Sequence, residues 1–378
     1  MLLWCAAFAP LSSAAETLVV GPAGLPMALQ DALQRAADGD TIELLPGDYA
    51  GTLVLENRRL TLRGMGAKPA LVKGNGKPGP AKALWTVRGG DITLENIEFR
   101  GARSEEGGGA GVRFEGGRLL VRRCVFFDNE HGLHATADGG AELVIESSVF
   151  GMAPRVAGGL YHLLDVGRIA KLHVTGSRFQ QGFEGHLIKS RARETFIGYN
   201  FIHDGQRGGA SYEIELAGGG VATVIGNVIG QGAESQNPVL VAYGAEGGTW
   251  EKNVLLVAHN TFVNYGWTPG WFLRVFKDRL PPGTEVQAIN NLLVGPGIFW
   301  LGASGNFEGN RHALRSMLRD VETYAFELPP GSMWRGSGVD PREIGGRNLA
   351  PRFEFQWPVG VRELPPGRDT YTPGAYQR

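Results

Sequence analysis

A chain of 378 residues with a formal net charge of −1 and a pI near 6.7 argues against a nucleic-acid binder, which carries a strongly basic face. Glycine is the outlier, at 58 residues without a three-residue period, which excludes a collagen and points to many tight turns between short apolar runs. Two cysteines, Cys5 and Cys124, make neither a disulfide framework nor a thiolate metal cluster.

In chain order, MLLWCAAFAPLSSAA reads as an export leader over residues 1–15, an apolar run ending in small residues. Ser13 and Ala15 suit the −3 and −1 positions of a cleavage site, so the expected location is secreted or periplasmic, although the usual basic n-region is missing. Nothing later is long and apolar enough to span a membrane. Residues 25–37, LPMALQDALQRAA, predict an amphipathic helix with Leu25, Leu29 and Leu33 on one face and Ala32 and Ala36 beside them.

From there to about residue 302 one pattern recurs: DITLENIEF, LLVRRCVFF, ELVIESSVF, KLHVTGSRF, TFIGYNFI, ATVIGNVI, LLVAHNTFV and VQAINNLLV. Each run has a pivot, apolar in the first and small or polar after it: Ile97, Cys124, Ser148, Ser177, Asn200, Asn227, Asn260 and Asn291, spaced 23 to 33 residues apart. Two places beyond lie Phe99, Phe126, Phe150, Phe179, Ile202, Ile229, Phe262 and Leu293. A strand-rich, glycine-punctuated repeat of this length, without helices between its strands, predicts an all-β solenoid, a parallel β-helix over residues 16–305. Equivalent residues would then stack into ladders about 4.8 Å apart. A solenoid's open ends need covering, and the N-terminal helix would cap one of them. Residues 310–320, NRHALRSMLRD, predict a second short helix. The Pro/Gly/Arg-rich remainder of 306–378 is expected to pack as an irregular tail on the solenoid.

A second strand in each coil aligns as GVRFEG, GLHATAD, YHLLDVG, HLIKSRA, YEIELAG, VLVAYGA, FLRVFKD and IFWLGA. Side chains alternate along a strand, so with Leu164, Ile188 and Ile214 inward, Asp165, Lys189 and Glu215 face outward, one above another. Tyr161, Tyr212, Glu213, Tyr243 and Arg274 would share or flank that face, while His162 and His186 take equivalent places at strand starts. Arg168, Arg191 and Arg193, in the adjoining turns, suit bidentate contacts with substrate carboxylates. The plainer alternative is a cross-strand charge ladder of about 0.2–1 kcal/mol per pair, in which Lys189 stays protonated. On that alternative His162 and His186 are structural, and Glu213, His203 and Asp204 are ordinary surface.

The segment ALQRAADGDTIELLPGDYAG, the rungs and the closing PGAYQ together resemble the pectin-lyase-like superfamily of right-handed parallel β-helix proteins. Within it, HLIKSRARETFIGYNFI looks most like the Lys-Ser rung of the alginate lyase and chondroitinase B type. That resemblance implies a lyase cleaving an acidic, uronate-containing polysaccharide by β-elimination, with Lys189 as base, near His186 and the flanking carboxylates. The catalytic Arg-His-Gly motif of that type is replaced here by YEIELAGGG, so Arg191 is the stand-in. Asp165, Glu213 and Glu215 would be the oxygen ligands if calcium takes part. Two alternatives stand beside the lyase. One is an inverting glycoside hydrolase using Asp165 and Glu215, about 9.6 Å apart by strand spacing. The other is a non-catalytic carbohydrate-binding or structural β-helix. A monomer is expected.

Overall fold

The computed structural model describes residues 15–77, 79–156, 158–235, 237–300, 305–342 and 348–378; the leader, apart from Ala15, lies outside the described residues. The alternating runs become strands as their pattern requires. In Glu142–Glu146, Leu143 and Ile145 point into the core, while Glu142, Val144 and Glu146 stay half-exposed. Every rung pairs in parallel with the rungs before and after it, so Leu143 lies opposite both Leu119 and Leu172. The result is a right-handed parallel β-helix.

The coil has three faces. The first sheet includes His131–Ala135, Leu164–Val166, Ile188–Ser190, Ile214–Leu216, Val239–Tyr243 and Gly270–Val275. The second includes Glu142–Glu146, Lys171–Thr175, Glu194–Gly198, Val221–Ile225, Val254–Ala258 and Glu285–Ile289. The third includes Val149–Gly151, Arg178–Phe179, Phe201–His203, Val228–Gln231, Thr261–Asn264 and Leu292–Val294. Near the N-terminus the long strands Leu53–Gly64, Ala83–Glu95 and Ala110–Arg122 run unbroken from the first sheet into the second.

Between the second and third sheets the chain turns on a residue of positive φ, such as Ser147 (48°), Tyr199 (58°) or His259 (53°). The pivot follows immediately and is buried in every coil. Buried backbone N–H groups at such a corner have no strand partner and need one from elsewhere. The next pivot's side chain supplies it. Cys124 N–H donates to Ser148 Oγ at 3.1 Å, Ser148 N–H to Ser177 Oγ at 3.1 Å, and Ser177 N–H to Asn200 Oδ1 at 2.8 Å. From Asn200 through Asn227, Asn260 and Asn291 to Asn310 the same bond repeats at 2.9–3.0 Å. Beside this ladder the rings of Phe99, Phe126, Phe150 and Phe179 stack with centroids 5.2, 4.4 and 4.7 Å apart.

Two terminal elements differ from expectation. The N-terminal helix spans only Leu29–Arg35, and Leu25 is 77% exposed rather than on its buried face. Leu25 precedes Pro26, and the residue before a proline is driven out of the helical region. Ala32 and Ala36 are buried, and Leu29 and Leu33 pack on the core, as the periodicity predicts. Over 310–320 there is no α-helix. Asn310 acts as one more pivot, Arg311–Ala313 extends the third sheet beside Leu292–Val294, and only a 3₁₀ turn follows at Arg315–Met317.

The tail lies along the flank. Leu318, Val321, Phe326, Leu328 and Phe355 pack on Phe201, Val228, Val263 and Leu292 of the third sheet. Leu349 and Phe353 pack on Val254, Leu256 and Ala258 of the second. The closing PGAYQ is seated by Gly374, whose φ is 104° and whose missing Cβ would meet Thr261 Oγ1 at 2.8 Å, so glycine is required there.

Candidate functional site

The outer face of the first sheet carries the ionisable column that the alternation predicts. Register places Asp165 opposite Lys189 and Lys189 opposite Glu215. The same line runs back through His134 to Arg113 and on through Ala242 to Arg274. Parallel strands impose this stacking, so three side chains distant in sequence share one surface.

Their contacts form a chain of charges. Lys189 Nζ lies 2.9 Å from Glu215 Oε2 and 2.8 Å from Glu246 Oε1. Arg191 holds Glu246 with two bonds, Nε to Oε2 at 2.6 Å and NH2 to Oε1 at 2.8 Å, and donates through NH1 to Asp165 Oδ1 at 3.1 Å. His134 Nε2 stands 3.6 Å from Asp165 Oδ2, and His186 Nε2 3.2 Å from Glu215 Oε2. Glu215 Oε2 is buried without an aligned hydrogen bond, so Lys189 meets it as a charge contact and the His186 ring approaches it at a poor angle.

Burial alone would lower the Lys189 pKa, but the Glu246 and Glu215 carboxylates outweigh it and raise it above the ordinary lysine value. The condition a lysine base must meet is therefore not met in this state. Burial would likewise raise Glu215, yet His186 and Lys189 hold it below the usual carboxylate range. Glu246, opposed by burial but gripped by Arg191 and Lys189, falls to about 2.

A second column stands at the strand starts. The rings of His162 and His186 stack at 4.5 Å, with His131 5.7 Å from His162 on one side and Tyr212 4.8 Å from His186 on the other. Each ring caps the backbone of the next rung: His186 N–H donates to His162 Nδ1 at 2.9 Å and Tyr212 N–H to His186 Nδ1 at 3.3 Å. An accepting Nδ1 leaves the ring proton on Nε2, so His186 presents an N–H toward Glu215. Burial and its histidine neighbours push His162 far below the ordinary histidine value. Burial and His131 take His134 down to about 4. Tyr161 joins the column's edge, 6.1 Å from His131, where Gly185 allows its carbonyl to approach to 1.9 Å of a Cβ position.

The structure thus brings together Asp165, His186, Lys189, Arg191 and Glu215, with Tyr161, His162 and Tyr212 beside them. Arg274 lies in the same column two rungs beyond Glu215, between the rings of Trp271 (4.9 Å) and Phe276 (4.4 Å). Arg168 sits on Trp250 at 5.8 Å, and Arg193 is exposed, with Glu194 4.0 Å away. Three expectations are corrected. Tyr243 pairs with Leu216 and Val275 on the inward parity, is fully buried and donates to the Gly220 carbonyl, so it flanks no surface. Glu213 is wholly buried, receives Gln231 Nε2 at 3.2 Å, and is pushed well above the carboxylate range by burial and the nearby Asp204. His203 and Asp204 are also buried rather than surface residues.

The proposed calcium ligands do not fit a calcium ion. Glu213 is inside the core, where burial disfavours its charged form, while Asp165 and Glu215 are engaged by Arg191, Lys189 and the imidazoles. Among the described residues no group of three or more His, Cys, Asp or Glu side chains is arranged to hold a metal.

Sequence reasoning missed His131, His134 and Glu246. The histidines were legible, since HGLHA (131–135) set in register with HLLDV (162–166) places His131 over His162 and His134 over Asp165. Glu246 gave one weak signal: the turn from Tyr243 to Val254 is longer than its equivalents.

No known sequence family matches the chain, and no curated protein matches it in sequence. Solved structures do match in shape. A pectate lyase, Pel9A, superposes with a TM-score of 0.68 at 13% identity, covering 97% of both chains. An alginate lyase from Paenibacillus sp. str. FPU-7 superposes with a TM-score of 0.51 at 15% identity, covering 79% of this chain and 99% of its own. At such identities the likeness is one of architecture: the chain shares the right-handed parallel β-helix fold of these two lyases.

Proposed function

We propose that the outer face of the first sheet is the cleft of a lyase that cleaves an acidic, uronate-containing polysaccharide by β-elimination. The observation that carries this reading is the paired cation cradle of Lys189 and Arg191, set amid carboxylates and imidazoles at mid-solenoid. Elimination requires neutralising the uronate carboxylate so that the neighbouring C–H acidifies, then removing that proton and protonating the departing oxygen. Arg191 presents the planar fork that suits a carboxylate, and Lys189 the second positive charge. Held as an ammonium, Lys189 is suited to neutralise charge and to give a proton to the leaving oxygen. Proton acceptance then falls to Glu215 or Asp165, each backed by an imidazole. Tyr161, His162, Tyr212, Arg168, Arg193 and Arg274 would border the sugar chain.

The hydrolase alternative is weaker on this geometry. It needs one carboxyl with a raised pKa as general acid, whereas Glu215 is held ionised by His186 and Lys189.

The test is absorbance at about 235 nm, where unsaturated uronates absorb, during incubation with alginate, pectate, glucuronan and glycosaminoglycans. A rise that Lys189→Ala abolishes supports the lyase and names its substrate. New reducing ends without absorbance would replace it with the hydrolase, and no product from any polymer would leave a binding or structural protein.

A further inference from the structure

The cations at the site are already matched without Glu246. Lys189 has Glu215 at 2.9 Å and Arg191 has Asp165 at 3.1 Å, both partners carried on strands whose register fixes them. Glu246 is the surplus third carboxylate. It comes from the turn after Val239–Tyr243, 55 residues from Arg191 in sequence, and reaches back to the preceding rungs. Its side chain is 41% exposed, against 5% for Glu215 and 15% for Asp165. Its geometry is that of a bound ligand: both oxygens on one guanidinium, one of them shared with an ammonium.

The backbone beneath it is anchored. Glu246 N–H donates to the Ala217 carbonyl at 2.9 Å, Thr249 N–H to Gly218, and Trp250 Nε1 to the Arg191 carbonyl at 3.1 Å. Vacating the cradle therefore needs only rotation of the Glu246 side chain into solvent, with the loop left in place. With Glu246 seated, Asp165, Glu215 and Glu246 outnumber Lys189 and Arg191 by one charge, which repels a polyanion. With it turned away the remaining four, Asp165, Glu215, Lys189 and Arg191, are balanced, and the guanidinium edge of Arg191 that Glu246 held can receive an external carboxylate.

We infer that Glu246 is an internal stand-in for the substrate, occupying the subsite on Arg191 and Lys189 that takes the carboxylate of one uronate residue and leaving when that residue binds. The inference rests on the acidic-polysaccharide reading of the site, but its test is read by binding rather than by cleavage. Trimers of galacturonate, mannuronate and glucuronate, and the same trimers with their carboxyls reduced to alcohols, are titrated calorimetrically into the full chain and into Glu246→Gln. Where a trimer is cleaved, KM replaces Kd, and absorbance reports cleavage separately. The expected result is that at least one acidic trimer binds Glu246→Gln about tenfold more tightly than the native chain, the worth of one charge-assisted contact. The reduced trimers should bind both proteins alike. Equal affinities, an equal gain for the reduced trimers, or no binding of any acidic trimer to Glu246→Gln overturns the subsite. Binding without absorbance would sink the lyase while leaving the subsite standing. A crystal of the native chain soaked with the tightest trimer provides a readout independent of how the variant folds. A sugar carboxylate on Arg191 with Glu246 rotated out is expected, and a bound sugar with Glu246 still on Arg191 overturns it.

Discussion

The flank of the solenoid and its first sheet treat the outward strand positions in opposite ways. On the second sheet the early rungs alternate, so Glu142–Glu146 and Lys171–Thr175 keep half-exposed or exposed residues outside, whereas Val254–Ala258 is buried throughout. The late rungs place Val254, Leu256 and Ala258 outward because the tail covers them with Leu349 and Phe353. On the first sheet the middle rungs place Asp165, Lys189 and Glu215 outward and satisfy them with one another. One flank uses outward residues for cohesion, and the other face, on the function proposed above, uses them for chemistry. Each should therefore tolerate the loss of what the other needs.

The strongest test of that division is Lys189→Ala, expected to lower the proposed lyase activity by a factor of about 10² or more while the thermal midpoint moves little. A large loss of stability with activity retained would reduce the column to a charge ladder. On the flank the expectation reverses. Phe355→Ala or Phe326→Ala empties a buried aromatic site beneath the tail and should cost about 3–5 kcal/mol in denaturant unfolding, with turnover per folded molecule unchanged. Asn227→Ala strips two backbone groups of their partners, the Asn200 N–H and the Ile197 carbonyl, and should cost about 1–3 kcal/mol.

Acid should weaken the flank by a traceable route. Burial takes His203 and His259, beneath the tail, down to about 3. Their neutral forms are favoured by folding, so that stability is complete above their ordinary value of about 6.5 and is lost as pH falls toward 3. Asp204, raised to about 6 by burial, works in the opposite sense as it takes up its proton. The thermal midpoint should fall with pH below about 6.5, and His203→Phe, set among Phe201, Tyr324 and Phe326, should flatten that slope. A slope unchanged by the substitution would place the acid sensitivity elsewhere. The smallest effect is expected for Arg193→Ala, exposed and loosely paired, with stability within about 0.5 kcal/mol of the native chain.

Much of this was legible because a β-helix repeats its own evidence. Pivots recurring from Ile97 to Asn291 gave register, and register plus alternation placed Asp165, Lys189 and Glu215 on one face. The same argument would have identified His134. Alternation failed where its premise ended. Glu213 has the parity of Glu215 but precedes the strand, so the chain's turn into the corner carries it inside. Tyr243 lay at the inward parity all along, and its aromatic character suggested a surface role that its position contradicts. Glu246 left only the length of its turn as a signal, for another reason: a turn has no period, and its reach back to Arg191 is set by tertiary contacts.

The pivot ladder also has an arrow. From Cys124 to Asn291 each pivot N–H is satisfied by the side chain of the coil that follows it in sequence, never by the coil before. A chain that emerges N-terminus first, from a ribosome or through a membrane pore, therefore always carries one incomplete corner at its growing end, and each new rung completes its predecessor. The ladder suits assembly from the N-terminal coil onward, each docking rung satisfying the corner before it. The tail, made last, closes over the flank only after the rungs it covers exist.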